Sequence, residues 1–130
     1  MSGGAAPSQI REVRIGARST DVFGRVLCNA RDHHFIVDGP VANGCPGEEV
    51  TPPELLLSSV AACGVELVQV IAKETNKAIG AVSVSVYGML DRGNQSRSNV
   101  TVYNKVHMKF TVHGTDGATA AELVEAFKRR

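Results

Sequence analysis

The sequence predicts an α+β domain made of an antiparallel meander, one long buried helix, a β-hairpin and a second helix. Three observations carry that reading. The longest apolar stretch, TPPELLLSSVAACGVELVQVIAKETN from Thr51 to Asn76, fills more than one helical face with Leu, Val, Ile and Ala. Residues 81–90 set Val82, Val84 and Val86 against Ser83, Ser85 and Tyr87, the period of two that marks a half-buried strand. Short alternating runs before Asp38 are separated by polar turns, as neighbouring antiparallel strands are.

The elements follow in chain order. Residues 1–9, rich in Gly, Ala, Ser and Pro, read as a flexible tail, and residues 10–130 as a single domain. Ile10, Val13, Ile15 and Ala17 form a first strand with a slip in its alternation; Val22–Ala30 and His33–Asp38 supply the second and third, with turns at Ser19–Asp21 and Arg31–Asp32. GPVANGCPGEEV, from Gly39 to Val50, is too rich in Gly and Pro for either regular structure and reads as an irregular loop. Thr51 and Glu54 then form a T-x-x-E capping box with proline at the first helical position. Polar Ser58, Ser59, Glu66 and Gln69 are too few to leave a broad wet side, so the helix is expected to be buried around most of its circumference. A chain of this length offers too little surface to bury such a helix, and a second subunit is the natural source. After the helix, DRGNQSRSN (Asp91–Asn99) turns the chain into a strand from Val100 to His113. The stretch Ala118–Arg130 reads as an amphipathic helix with Ala121, Leu123, Val124 and Phe127 inward; it has no Gly or Pro stop, as in a chain truncated at its C-terminus.

Composition narrows the function. With a formal net charge of +1, no basic run and 5% aromatic residues, nucleic acid is not expected as a partner. The polar interruptions make the apolar stretch a poor membrane span, and MSGGAAPSQ lacks the apolar core of a signal peptide, so the expected location is the cytoplasm. Cys28, Cys45 and Cys63 are odd in number and lack C-x-x-C spacing, which points to free thiols rather than disulfides or zinc. No metal and no cofactor is expected: His33 and His34 point to opposite faces of one strand, and no glycine pattern matches a phosphate-binding loop.

Cys63 is the decisive residue. A cysteine within a buried helix is either a small packed hydrophobe or a shielded nucleophile, and the nucleophile is the thiolate. The helix dipole fades within the first turn, and Cys63 lies well beyond it. An active Cys63 must therefore take a positive charge from elsewhere in the fold, with Arg18, Arg25 and Arg31 of the meander as candidates. Glu48 and Glu49, in the loop before the helix, are placed to hold an arginine or to be solvated.

The run RDHHFIVDGPVANGCPGEEVTPPELLLSSVAAC, Arg31–Cys63, resembles the OsmC/Ohr superfamily of osmotically inducible and organic hydroperoxide resistance proteins. The resemblance rests on Asp38-x-Pro40, the loop around Gly44, Pro52 or Pro53, Glu54–Leu57, and Ala61-Ala62-Cys63 in order. It implies a tightly intertwined homodimer with two central helices, and a thiol-dependent peroxidase in oxidative-stress defence. Cys63 would be the redox cysteine: its thiolate attacks the terminal oxygen of an organic hydroperoxide, becomes a sulfenic acid and condenses with a second cysteine. A thiol reductant, a small dithiol or a protein, would then restore it. Leu56, Val60 and Leu67 are the expected pocket walls, Arg31 the activating arginine with Arg25 second, and Glu49 or Glu48 the carboxylate that holds it.

The chain also departs from the family pattern. The second cysteine of the family follows the last helix, and this chain stops at Arg130; Cys45 is then the candidate resolving thiol. The family's acid ten residues before the cysteine is Pro53 here, and Glu54 lies on the opposite side of the helix from Cys63. Two other readings stay open. One is a non-catalytic OsmC-like dimer that binds a small apolar ligand in an inter-subunit pocket. The other is a thiol acyltransferase, which requires a histidine in reach of Cys63.

Overall fold

The computed structural model describes residues 7–130; residues 1–6 of the expected tail lie outside them. The fold is α+β, with two antiparallel sheets and one long, partly buried helix. The chain divides into two compact units, one ending at Pro52 and one beginning at Pro53.

The first unit is the meander. Strands β1 (Ile15–Ser19), β2 (Arg25–Ala30) and β3 (His33–Asp38) form a three-stranded sheet in chain order. Register runs from Ile15↔Ala30 in the first pair and from Ala30↔His33 in the second. The two-residue turn Arg31–Asp32 closes that second hairpin, with Arg31 at φ 55°. Both early strands are shorter than the alternation predicts. β2 ends at this turn, so Ile10 and Val13 have no strand opposite them and are exposed. Residues 20–24 form a turn in which Thr20 Oγ1 donates to the Arg25 carbonyl at 2.9 Å and Gly24 takes φ 79°. Val22 therefore precedes the sheet instead of joining it. Beyond β3, the Gly39–Val50 loop contains a single 3-10 turn, Val41–Asn43, closed by Gly44 in the left-handed region.

The second unit holds α1 (Pro52–Glu74), a hairpin of β4 (Val82–Met89) and β5 (Lys105–Val112), and α2 (Gly117–Phe127). Helix α1 ends where the sequence suggests. Asn76 takes φ 55°, and the Lys77 and Asn76 amides donate to the carbonyls of Ala72 and Lys73, a Schellman closure. Alternation along β4 is as expected, with Val82, Val84 and Val86 turned inward. Strand β5 begins at Lys105, five residues later than expected, because side chains occupy the backbone groups of the turn. Gln95 Oε1 accepts from Val102 N–H at 2.8 Å, and Asn104 Oδ1 accepts from Asp91 N–H at 2.7 Å. Asp116 caps α2 by accepting from Thr119 N–H at 2.7 Å.

The core of this unit is Val68, Ile71 and Ala72 of α1 with Leu123 of α2, packed against Ile79, Val82, Phe110, Val112, Ala126 and Phe127. Leu123 is the inward anchor of α2, whereas Ala121, expected inside, is exposed. Gly64 marks a close approach of α1 to β5: a Cβ there would lie 3.1 Å from both Met108 Cε and Phe110 Cζ. That approach accounts for a glycine within a helix, where it costs about 1 kcal/mol relative to alanine.

The expectation of a helix buried on most sides is corrected. Only Gly64, Val68, Ile71 and Ala72 of α1 are buried, because the hairpin and α2 cover one stripe and leave the rest open. Leu55 and Leu56 are exposed, and Cys63, expected to be buried, is exposed too. By length and hydropathy alone α1 would meet the criteria for a membrane span.

Candidate active site

Two clusters hold the candidate groups, one in each unit. In the second, α1 turns Gly64 toward β5, so its neighbour Cys63 points about 100° away. Cys63 lies on the wall of an open cavity of about 470 Å³, with Ser59, Val60 and Leu67 from α1 and Phe127, Lys128 and Arg130 from the end of α2. The floor is hydrocarbon: Phe127 stacks at a tilt on Phe110, their centroids 5.4 Å apart. Val60 and Leu67, expected as pocket walls, line it. Leu56 does not, and stands exposed one turn away.

The two cations at the rim are already engaged. Lys128 Nζ donates to Glu125 Oε1 at 2.8 Å, which lowers the Glu125 pKa, and Arg130 donates to Glu74 Oε2 at 2.6 Å. This cavity thus presents an apolar surface, a thiol and a rim of neutralised ion pairs. It suits an uncharged organic molecule.

In the first unit the sheet end and the loop gather charge. Asp38, at the end of β3, is fully buried, and the partners of its carboxylate are donors. Arg25 Nε and Nη2 reach its two oxygens at 2.8 and 2.9 Å, and the Glu48 and Glu49 amides both donate to Oδ2 at 3.0 Å. The Arg25 hydrogen bond, then the Glu49 and Glu48 amides, hold this carboxyl well below the usual carboxylate range against the opposing effect of burial. Arg25 Nη2 also donates to Glu48 Oε1 at 2.8 Å. Asp38 and then Glu48 raise the Arg25 pKa further, so the guanidinium is charged and fixed in orientation.

Of the arginines weighed from sequence, carboxylates therefore hold Arg25. Arg31 is exposed in its hairpin turn, and among the described residues it has no ion pair. Glu48 supplies the carboxylate; Glu49 supplies a backbone N–H. Cys45 is partly buried, its sulfur against Gly24 and Gly39. Sequence reasoning passed over Asp38 as the anchor. Its signal was a lone acid closing the apolar run FIVD, where a carboxylate is tolerated only with partners. Among the described residues no group of three or more His, Cys, Asp or Glu is placed to hold a metal.

The family model described as OsmC-like protein matches residues 45–130. No curated protein matches the chain at a significant level. Solved structures share the fold at low identity. An OsmC-like protein from Mycoplasma pneumoniae is 15% identical with TM-score 0.78, over 94% of this chain and 84% of that one. An organic hydroperoxide resistance protein OsmC from Legionella pneumophila is 16% identical with TM-score 0.73, over 94% and 85%. One from Elizabethkingia anophelis, with thiocyanate bound, is 15% identical with TM-score 0.71, over 93% and 84%.

Proposed function

Because the chain belongs to the family of OsmC-like proteins, we propose that it is a thiol-dependent peroxidase that reduces organic hydroperoxides through Cys63. The observation that carries this reading is the position of Cys63, an accessible thiol on the wall of an apolar cavity. In the reaction the Cys63 thiolate attacks the terminal oxygen of ROOH, the O–O bond breaks, and the alkoxide leaves and takes a proton as ROH. Cys63 is left as a sulfenic acid. A second thiol then condenses with it, forming a disulfide and releasing water, and a dithiol reductant returns both sulfurs to thiols.

The cavity favours organic peroxides over hydrogen peroxide, because its wall offers hydrocarbon contact and few polar partners. The thiolate still needs a positive charge, and the cations beside it are already paired. Arg25 is the guanidinium proposed as the activating charge: Asp38 and Glu48 fix it, and Nη1 makes none of its hydrogen bonds to them. The assembled protein is a homodimer in this reading, since the uncovered flank of α1 with Leu55 and Leu56 needs a second copy to shield it. The three free cysteines fit the reducing cytoplasm.

The test is stopped-flow consumption of cumene hydroperoxide and of hydrogen peroxide by the wild type, Cys63→Ser and Arg25→Met. Cys63→Ser is expected to slow cumene hydroperoxide loss by more than about a thousandfold, as loss of a nucleophile does. Arg25→Met is expected to slow the oxidation of Cys63 in every turnover and to leave the later reduction step unchanged. Equal rates for wild type and Cys63→Ser reject the peroxidase and favour a dimeric module that binds an apolar ligand in this cavity.

A further inference from the structure

Cys45 lies in the loop between β3 and α1, and its side chain plugs a socket made by two glycines. A Cβ built on Gly24 or on Gly39 would collide with the Cys45 sulfur. Gly24 immediately precedes Arg25 and Gly39 immediately follows Asp38, so the plug sits beside both halves of the buried ion pair. Main-chain bonds tie the same residues together: Gly39 N–H donates to Gly24 O at 2.8 Å, Cys45 N–H to Pro40 O at 3.3 Å and Gly47 N–H to Gly39 O at 3.1 Å. Three residues after the plug, Glu48 accepts from Arg25, and the Glu48 and Glu49 amides cap Asp38.

We propose that Cys45 is a positioning residue for Arg25: seated between Gly24 and Gly39, it fixes the 39–50 loop so that Glu48 grips the guanidinium. The proposal deepens the reading of Arg25 as the partner of the Cys63 thiolate, and its catalytic consequence rests on that reading. A thiol suits the socket, being one heavy atom longer than alanine and weakly polar; it donates to the Asn43 carbonyl at 3.8 Å. A Cys45 engaged in a disulfide would have to leave the socket and release the loop. The role assigned here is thus distinct from that of a resolving thiol.

A size swap in the protein tests this. Cys45→Gly empties the socket, and Gly39→Ala overfills it. In the double variant the new methyl group occupies the space the sulfur left, since the Cβ at Gly39 points at Cys45 Sγ and Cβ. The direct readout is hydrogen exchange of Arg25 Nε–H by NMR, a proton held on Asp38 in the native protein. Each single variant is expected to speed that exchange about tenfold and the double to return it to within about twofold, the non-additivity of residues that share one contact. First-turnover oxidation of Cys63 by cumene hydroperoxide should fall and recover in parallel. Unchanged Arg25 exchange in folded single variants overturns the proposal, as does a folded double variant without recovery. Slower steady-state recycling with an unchanged first turnover and unchanged exchange also overturns it, by making Cys45 the resolving thiol. Faster exchange with unchanged Cys63 oxidation keeps the latch and rejects the role of Arg25 in catalysis.

Discussion

The unit that ends at Pro52 is organised around a buried charge, and the unit that begins at Pro53 around buried hydrocarbon. In the first, fully buried Asp38 collects a guanidinium and two amides, and the loop is shaped by the need to supply them. In the second, Val68, Ile71, Ala72 and Leu123 form the core, and the cations lining the Cys63 cavity are held in ion pairs. One unit fixes a charge and the other exposes a thiol. The difference teaches that each set of residues is held by forces with different sensitivities.

Those sensitivities separate experimentally. Leu123 is 1% exposed at the meeting of α1, the hairpin and α2, and Leu123→Ala should give the largest effect. A loss of about 2–5 kcal/mol is expected for a buried leucine truncated to alanine. Denaturant unfolding measures it, and the loss should be the same at pH 5 and pH 8, because no titratable group lies in that core. A pH-dependent loss would mean that the hydrocarbon core is coupled to the charge cluster.

Asp38→Asn probes the first unit in the opposite way. The folded carboxyl titrates below its ordinary value of about 3.9, so its stabilising contribution is present above that pH and disappears as pH falls through the lower folded value. The variant should have a lower Tm than the wild type at pH 7 and at pH 5. The gap should close on acidification below about pH 4. A Tm difference that stays constant into strong acid would show that the wild-type carboxyl gains nothing from Arg25.

Gly64→Leu sharpens the comparison at the thiol itself. A leucine there must displace Met108 and the Phe110 ring, which its Cβ alone would meet at 3.1 Å, and overpacking of this kind costs about 1–3 kcal/mol. The helix would have to lift or rotate, and the rate of Cys63 with cumene hydroperoxide should fall together with stability. A variant as stable as the wild type would show that α1 does not depend on that close contact for its seat on β5.

The sequence made the elements legible where local chemistry sets them. The period along Val82–Val86, the proline-led start of α1 and its Asn76 stop are read within a few residues, and all three are in the structure. Boundaries set by distant partners were not legible. Ile10 and Val13 alternate like a strand, but the turn at Arg31 ends the strand that would pair with them. Val102 alternates too, yet Gln95 takes its amide. The site shows the same division. Cys63 stands out as a thiol in an apolar helix, whereas the grip of Asp38 and Glu48 on Arg25 depends on a loop that folds back on Asp38, a three-dimensional fact with no periodic signature. Burial was misread because an apolar run reports what a helix can bury, and not whether this chain alone buries it.

The smallest effect is expected from Arg130→Ala, and it bears directly on the division between the units. Arg130 lines the Cys63 cavity, but its Nη2 is committed to Glu74, and the two side chains are 44% and 52% exposed. An exposed pair of this kind is worth less than about 1 kcal/mol. A guanidinium already neutralised by a carboxylate also has little field left for a neighbouring thiolate. Removing it should leave the cumene hydroperoxide rate within about twofold, with any loss easing as salt rises, since salt screens an exposed charge. A fall of more than about tenfold with unchanged Tm, a loss of transition-state stabilisation and not of fold, would place the activating charge within the C-terminal unit. In that case the charge fixed by Asp38 and Glu48 would serve some other end, and the division between a unit that holds charge and a unit that holds the nucleophile would not describe how this protein works.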